Sequence, residues 1–288
     1  MKLDRSDDVD APKRPSLRLI SATASDLARL DRFPDFLILG PQRTGTTWLH
    51  AQIRFHPQLF LTEPKELYYF NSLKGPEPPR FEGNSLGAYL DHFRDSPRWY
   101  VAKMLSALVR FGEPYRPIMR GEATASYAAL DEEVIGELVS LNPMLKVVLM
   151  IRDPIQRAWS HAKKDLARRH RRSINEVPEH DVLEFFASDY QLRCAQSVAQ
   201  FDRWSANLPR GHVFVGRFEQ IERDPVGLLV SLLAFLGVRH DAKYVSTTAR
   251  EAVNRTESQA IPERYFRFLS ELLSREREAT RRRFVPDW

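Results

Sequence analysis

Two glycines, an arginine and neighbouring threonines between Gly40 and Thr47 form the stretch of this sequence with the clearest capacity for chemistry. Their spacing is Gly40-x-x-x-x-Gly45-x-Thr47. Backbone N–H groups of such a loop, and those that open the helix after it, converge on one anion. Gly45 lets the backbone approach closely, while Arg43 adds a charge and a fork of donors. The pattern indicates a site for a phosphate-bearing ligand.

One position departs from the phosphate loop of nucleoside triphosphatases. Thr46 stands where that loop has the Lys that reaches the β- and γ-phosphates. The loop is therefore not an obvious site for a nucleoside triphosphate with its metal. The alternative is an ordinary strand-to-helix turn that carries one Arg.

A second anion-binding arrangement follows the apolar run Lys146–Ile151. Arg152 comes directly after this run, and Ser160 lies eight residues later, about two turns along the helix that should begin near Pro154. An Arg and a hydroxyl that face one anion make a good phosphate clamp. Two other interpretations stay open: Arg152 pairs with Asp153 at a strand end, or Asp153 is a metal ligand of the Walker-B kind.

The elements that must position these residues alternate between strand and helix. Apolar runs predict strands at Phe36–Leu39, Leu59–Leu61, Pro117–Gly121, Lys146–Ile151 and His212–Arg217. Periodic stretches between and after them predict helices, among them Thr46 to about Phe55, Ser85–Phe93 and Tyr190–Trp204. This order is typical of an α/β fold with a central, mostly parallel sheet flanked by helices. Ligands of such sheets bind at the carboxyl ends of the strands, where both special stretches begin.

Composition sets the wider limits. The sequence predicts a polar, flexible tail over 1–16 and a single domain over 17–288, a length that can bury a full core. The net charge of +5 favours anionic partners. The single cysteine, Cys194, excludes an internal disulfide and a Cys-rich metal site, and we expect no metal ligands. The N-terminus lacks an apolar signal region and no apolar run reaches membrane-span length, so we expect a soluble, cytoplasmic protein. Nothing in the sequence indicates the oligomeric state.

The octapeptide Pro41-Gln42-Arg43-Thr44-Gly45-Thr46-Thr47-Trp48 resembles the 5′-phosphosulfate loop of sulfotransferases that use 3′-phosphoadenosine 5′-phosphosulfate (PAPS). The likeness extends over about residues 34–288, including the block Ile151–Ser160 and the tail Pro286-Asp287-Trp288. It implies a P-loop-like sulfotransferase fold and transfer of a sulfuryl group from PAPS to a hydroxyl or amine, with PAP released and no metal needed. It also implies donor contacts, which fall on Gln42, Arg43, Thr44, Gly45, Thr46, Thr47, Trp48, Arg152, Ser160, Asn254 and Arg255.

The resemblance assigns two catalytic residues. Arg43 would stabilise the charge that grows on the leaving 5′-phosphate. Glu66, in Pro64-Lys65-Glu66-Leu67-Tyr68-Tyr69-Phe70, resembles the catalytic base of glycan-type members. The alternatives are that Glu66 is a solvated partner of Lys65, that Glu122 is the base, or that a His is. Against the last, His56 and His92 lie in no matching motif.

The acceptor is not readable from the sequence: a glycan, a lipid or a small molecule all fit. Two segments bear on it. Asn71–Gly87 is rich in Gly and Pro and predicts a long loop, a common form of lid or binding loop. The basic run Lys163–Arg172 is either a solvated helix face or a surface that faces an anionic acceptor.

Two rival functions remain: a P-loop kinase-like nucleotide-binding enzyme, and a polyanion-binding protein. Nucleic acid is not an expected partner.

Overall fold

The computed structural model describes residues 17–74, 81, 83, 85–245 and 260–285. Asn254, Arg255 and the tail Pro286-Asp287-Trp288 lie outside the described residues, as does most of the segment after Lys74 up to Asn84.

Five strands form the central sheet. They are β1 (Phe36–Leu39), β2 (Leu59–Leu61), β3 (Met119–Ala123), β4 (Lys146–Ile151) and β5 (Val213–Arg217), in the order β2-β3-β1-β4-β5. Every pairing between them is parallel. The prediction of an α/β fold with a mostly parallel sheet is confirmed.

Helices connect the strands and cover both faces of the sheet. They are α1 (Ala24–Leu27), α2 (Thr46–Ile53), α3 (Tyr69–Ser72), α4 (Leu86–Asp91), α5 (Pro97–Phe111), α6 (Glu132–Leu141), α7 (Pro154–His170), α8 (Glu179–Ala187), α9 (Asp189–Ala195), α10 (Ser197–Asn207), α11 (Phe218–Arg223), α12 (Pro225–Leu236), α13 (Glu263–Leu272) and α14 (Ser274–Phe284). Short 3₁₀ turns lie at Leu30–Arg32, Ala125–Ala129, Ile174–Glu176 and Ala242–Tyr244. Within the described part of the chain, no helix is long and apolar enough to cross a membrane.

The core is divided by the sheet because side chains alternate along each strand. In β1, Leu37 and Leu39 join the core on the face of α4 and α6, while Phe36 and Ile38 join the core on the face of α2 and α12. β4 alternates in the same way. Strands buried on both faces explain why β1 and β4 are continuous apolar runs and not alternating ones.

Several predicted bounds differ from the structure. β3 is Met119–Ala123, two residues later than expected, and α2 ends at Ile53. The helix expected over Tyr190–Trp204 is two helices that meet at Gln196, whose ψ of 55° is not helical. At this junction the Gln200 side chain donates to the Arg193 carbonyl at 2.8 Å. The expected loop Asn71–Gly87 is helical at both ends, in α3 and α4.

Candidate functional site

The loop predicted to bind the first anion leaves β1 at Gly40 and enters α2 at Gly45. Both glycines have left-handed φ angles, +148° and +96°. A Cβ on Gly40 would lie 2.4 Å from the Met150 carbonyl oxygen, and one on Gly45 would lie 2.4 Å from Ile221. Gly45 is the N-cap of α2 and no side chain caps this helix. The first N–H groups of α2 therefore form a cradle of the kind that binds an anion.

Arg43 lies at the tip of this loop with an unusual backbone. Its φ is +78°, a conformation that costs a non-glycine residue about 1–3 kcal/mol and that clusters at functional sites. Its side-chain Nε donates to Ser160 Oγ at 2.9 Å. Burial lowers the pKa of the guanidinium. The loop thus holds a partly desolvated positive charge beside the first helical turns of α7.

Arg152 approaches the same loop from the end of β4. Its Nη1 donates to the carbonyl of Arg43 at 3.1 Å, and its guanidinium lies 3.9 Å from the centre of the Phe218 ring. Burial lowers the pKa of Arg152 to about 10, although the neighbouring Glu219 carboxylate acts in the opposite direction. Because β1 and β4 are paired parallel neighbours, their carboxyl ends bring Arg43 and Arg152 together.

Ser160 is positioned by α7, and Asp153 fixes the start of that helix. The Asp153 side chain accepts from the backbone N–H of Gln156 at 2.9 Å and from Arg277 Nε at 2.8 Å. The carboxylate is thus used as a helix cap and an ion-pair partner. In the described residues, no group of three or more His, Cys, Asp or Glu side chains could hold a metal ion.

The remaining residues of the loop have distinct environments. Thr44 is buried and its hydroxyl donates to the Pro41 carbonyl at 2.8 Å, so it stabilises the loop itself. Thr46 is buried and Thr47 is exposed. Trp48 packs in the core between α2 and the sheet. Gln42 accepts a hydrogen bond from the Tyr190 hydroxyl through its side chain.

Glu66 lies in the segment between β2 and α3, which is attached to the end of β3. Its backbone N–H donates to the Ala123 carbonyl at 2.9 Å, and its Oε2 accepts from the Ala125 N–H at 3.1 Å. Its other oxygen pairs with Lys65. Like Arg43 it has a left-handed backbone, with φ +70°, and its side chain is 23% exposed. Glu66 is therefore held rigidly but can be reached from solvent.

Glu122 differs from Glu66 because it is fully buried. Burial raises the pKa of its carboxyl to about 7, although hydrogen bonds from Thr124, Tyr89 and Tyr127 act against that change. Thr124 Oγ1 donates to Glu122 at 2.6 Å and accepts from the Leu67 N–H at 3.0 Å. Through Thr124, the buried carboxyl is linked to the segment that carries Glu66.

The basic run Lys163–Arg172 is divided between two environments. Arg168 and Arg169 pair with Asp165 at 2.9 and 2.6 Å on the surface of α7. Lys164 instead has its pKa lowered by burial and then by the charges of Arg43, Arg168 and Lys65, with Glu66 acting in the opposite direction. Lys164 thus lies within electrostatic range of both predicted catalytic residues.

Sequence reasoning missed one support of this site, Arg157, and considered Lys164 only as a member of the basic run Lys163–Arg172. Arg157 is buried, and it donates to Gln191 at 2.7 Å and to the Gln42 carbonyl at 3.5 Å. A signal was present: Arg157, Ser160 and Lys164 are spaced i, i+3, i+7, which places them on one helix face. The predicted residues Arg43, Arg152 and Ser160 do lie together, whereas Asn254 and Arg255 fall outside the described residues.

Chemically, this edge of the sheet can hold two anionic groups of one ligand. A glycine-bounded cradle and two arginines supply donors and charge, and the hydrogen bonds through Arg43 join the loop to α7 and to the end of β4. The ammonium group of Lys164 lies within electrostatic range of Arg43 and of Glu66, a carboxylate that is 23% exposed. These residues fit a ligand with a phosphate-like group at each of two points.

Comparison with known proteins gives a consistent result. The model of the sulfotransferase family matches residues 34–242. The human bifunctional heparan sulfate N-deacetylase/N-sulfotransferase 2 is 25% identical over 231 residues, which are 75% of this chain and 23% of that protein. The membrane-associated sulfotransferase kil1 of Dictyostelium discoideum is 27% identical over 127 residues, 44% of this chain and 22% of the relative. The chain spans about a quarter of the length of these curated relatives.

A solved structure is similar over nearly its whole length. The sulfotransferase from Alicyclobacillus acidocaldarius superposes with a TM-score of 0.61 and 26% identity, over 88% of this chain and 98% of that chain.

Proposed function

The chain belongs to the sulfotransferase family, and from this premise we propose that it transfers a sulfuryl group from PAPS to a hydroxyl or amine of an anionic glycan. The observation that carries the proposal is the cluster of Arg43, Ser160 and Arg152 at the carboxyl ends of β1 and β4. When bound, PAPS supplies the sulfuryl group and leaves as PAP.

The donor-binding residues are those that form the two anion sites. The N–H groups that open α2, with Arg43, suit the 5′-phosphosulfate. Arg152 and Ser160 suit the 3′-phosphate, and the Arg152 guanidinium lies against the Phe218 ring, 3.9 Å from its centre. Asn254 and Arg255 stay predicted contacts, because they lie outside the described residues.

Arg43 is the residue that stabilises negative charge on the leaving phosphate. Its guanidinium is partly removed from water, and a charge in such a place interacts more strongly with a developing anion than one in solvent. The hydrogen bond to Ser160 fixes its direction. A preorganised donor of this kind typically contributes about 3–4 kcal/mol to a transition state.

Glu66 is the base that removes the acceptor proton. A base must touch its substrate, and the Glu66 side chain is partly exposed while Glu122 is fully buried. The Ala125 N–H and Lys65 orient the Glu66 carboxylate. These contacts favour Glu66 over Glu122 as the group that meets the acceptor.

The acceptor is a glycan with acidic groups. Lys65 pairs with Glu66, and Lys164 lies within electrostatic range of Glu66 and Arg43, so the positive charges around the base outnumber the negative one and favour an anionic chain. A relative's name states action on heparan sulfate, which is an anionic glycan. A neutral phenol or alcohol would make no use of the Lys164 charge.

The test is transfer of radiolabel from ³⁵S-labelled PAPS in the presence of EDTA. The acceptors are an unsulfated uronic-acid polysaccharide, its N-deacetylated form, a neutral polysaccharide and a simple phenol. We expect label on the acidic polysaccharides, and we expect Lys164→Glu to raise their KM with little change in kcat. The matched control, Arg172→Glu, reverses an exposed charge at the far end of the same basic run. Label on the phenol alone would exclude a glycan acceptor.

A further inference from the structure

The segment between β2 and α3, which carries Glu66, has a strained backbone. Glu66 and Tyr68 both have left-handed φ angles, +70° and +62°. A residue other than glycine takes such a conformation only where the surrounding structure determines it, and residues of this kind cluster at functional sites. Contacts with other parts of the chain must therefore hold this segment in its shape.

The end of β3 and the residue after it supply two of these contacts. The Glu66 N–H donates to the Ala123 carbonyl at 2.9 Å. The N–H of Leu67, which lies between the two left-handed residues, donates to Thr124 Oγ1 at 3.0 Å. The second acceptor belongs to a side chain, so a substitution can remove it and leave the backbone composition unchanged.

The Glu122 carboxyl group fixes the direction of the Thr124 hydroxyl. Thr124 Oγ1 donates its one hydrogen to Glu122 at 2.6 Å, and a lone pair of the same oxygen accepts from the Leu67 N–H. The Tyr89 hydroxyl, which comes from α4, donates to the other oxygen of Glu122. Glu122, Thr124 and Tyr89 are all completely buried. Because none of them can touch an acceptor, any effect that they have on transfer must act through another residue.

From these contacts we propose that Thr124 is a positioning residue for sulfuryl transfer and that Glu122 acts through it. This rests on the proposed function, in which Glu66 is the base. The hydrogen bonds lead from Glu122 through Thr124 to the Leu67 N–H, which belongs to the peptide that follows Glu66. The N–H of Ala125, the residue after Thr124, donates to Glu66 Oε2 at 3.1 Å. The same short stretch of chain thus holds both the backbone at Glu66 and its carboxylate.

Loss of the Thr124 hydroxyl should slow the chemical step and leave binding almost unchanged. The Leu67 N–H would lose its acceptor in a buried place, and the strained segment would relax toward another position. The donor is bound by other residues, at the ends of β1 and β4. A displacement of about 1 Å at a reacting group can lower a rate about a hundredfold, so we expect kcat to fall roughly 10- to 100-fold. The acceptor KM and the PAP dissociation constant should change little.

The test is the kinetics of ³⁵S transfer to the acidic polysaccharide, with the active fraction of each variant counted by titration with PAP. Thr124→Val and the smaller Thr124→Ala remove the hydroxyl and should lose kcat, whereas Thr124→Ser keeps it and should recover most of the rate. Thr280→Val is the matched control, because Thr280 in α14 is completely buried and its hydroxyl has no partner among the described residues. A wild-type kcat in Thr124→Val, or an equal loss in Thr124→Ser, would overturn the proposal.

A double variant tests whether Glu122 acts through Thr124. Glu122→Leu removes the acceptor of the Thr124 hydrogen and should lower kcat as well. Because residues of one hydrogen-bond network are not additive, Glu122→Leu combined with Thr124→Val should be no slower than the slower single variant. Losses that multiply would show two independent effects and contradict the chain of contacts from Glu122 to Glu66.

Hydrogen exchange of the ligand-free chain separates this proposal from the proposed function, since it needs no acceptor. Peptides that contain Leu67 should exchange faster in Thr124→Val than in the wild type or in Thr280→Val. Equal exchange would refute the contact between Thr124 and this segment, whatever the transfer assay gives. A wild type that labels no acceptor, or a Glu66→Gln variant as active as the wild type, would instead defeat the proposed function and the catalytic role that depends on it.

Discussion

Replacing Arg152 by Met measures separately what this buried charge costs the folded protein in stability and what it contributes to the binding of PAP. The folded protein lowers the pKa of Arg152 to about 10, about 2.5 below its ordinary value, and burial is the main cause. At 1.36 kcal/mol per pKa unit, holding this charge costs the fold about 3 kcal/mol. Arg152→Met relieves that cost and loses the hydrogen bond to the Arg43 carbonyl and the contact with Phe218, about 1 kcal/mol each. The variant also loses the Arg152 charge beside the half-buried Glu219 carboxylate, so the opposing effects nearly cancel and the stability of the ligand-free variant should stay within about 1 kcal/mol of the wild type.

The same variant should bind PAP much more weakly. A hydrogen bond between two charged groups contributes about 1.5–3 kcal/mol, so the dissociation constant should rise roughly 10- to 150-fold. Urea unfolding without ligand and calorimetric titration with PAP in EDTA measure the two effects. Arg210→Met, at an exposed position before β5, is the control. A variant that is less stable than wild type by more than 1 kcal/mol yet binds PAP equally well would refute the reasoning.

Three further outcomes follow from the carboxylates of the fold. Glu66→Gln should abolish sulfuryl transfer and leave the PAP dissociation constant unchanged; measurable turnover near wild type would remove Glu66 as the base. Glu122 has its pKa raised from 4.5 to about 7, chiefly by burial, so the folded state binds its proton more tightly than the unfolded chain does. The resulting stabilisation is full below pH 4.5 and is lost as pH rises through 7, about 3 kcal/mol in total. The urea midpoints at pH 5 and pH 8 should thus differ more in the wild type than in Glu122→Gln. An equal difference in both proteins would contradict the assignment of this pH dependence to Glu122. Glu137 accepts from the backbone N–H groups of Arg18, Leu19 and Ile20. Glu137→Ala should cost about 2–4 kcal/mol in urea unfolding by leaving these donors unpaired, and a loss under 0.5 kcal/mol would argue against that role.

The glycine-bounded loop after β1 and the strands of the sheet could be predicted because both are encoded locally. Apolar runs such as Phe36–Leu39 are continuous because the strand is buried on both faces, and the turn glycines follow directly. Helix α5 carried signals that were not used: Ser96 caps Trp99, Pro97 opens the helix and Gly112 closes it. Its outward apolar side could not be foreseen, because it depends on a buried Lys103.

The geometry of the carboxylates could not be predicted for a different reason. Glu66 takes its backbone conformation from contacts with Ala123 and Ala125, which are distant in sequence. The pKa of Glu122 depends on burial beneath Tyr89, a residue of α4. Such properties arise only when separate elements pack together. The division into a tail over 1–16 and a domain over 17–288 and the cytoplasmic location stay predictions.

A crystal structure of the chain with PAP would test the central claim most directly, because the donor must span both anion sites. We expect the 5′-phosphate within hydrogen-bond distance of the N–H groups that open α2 and of Arg43, and the 3′-phosphate on Arg152 and Ser160. PAP bound at another surface, or held by one of its phosphates with the second in solvent, would contradict the assignment.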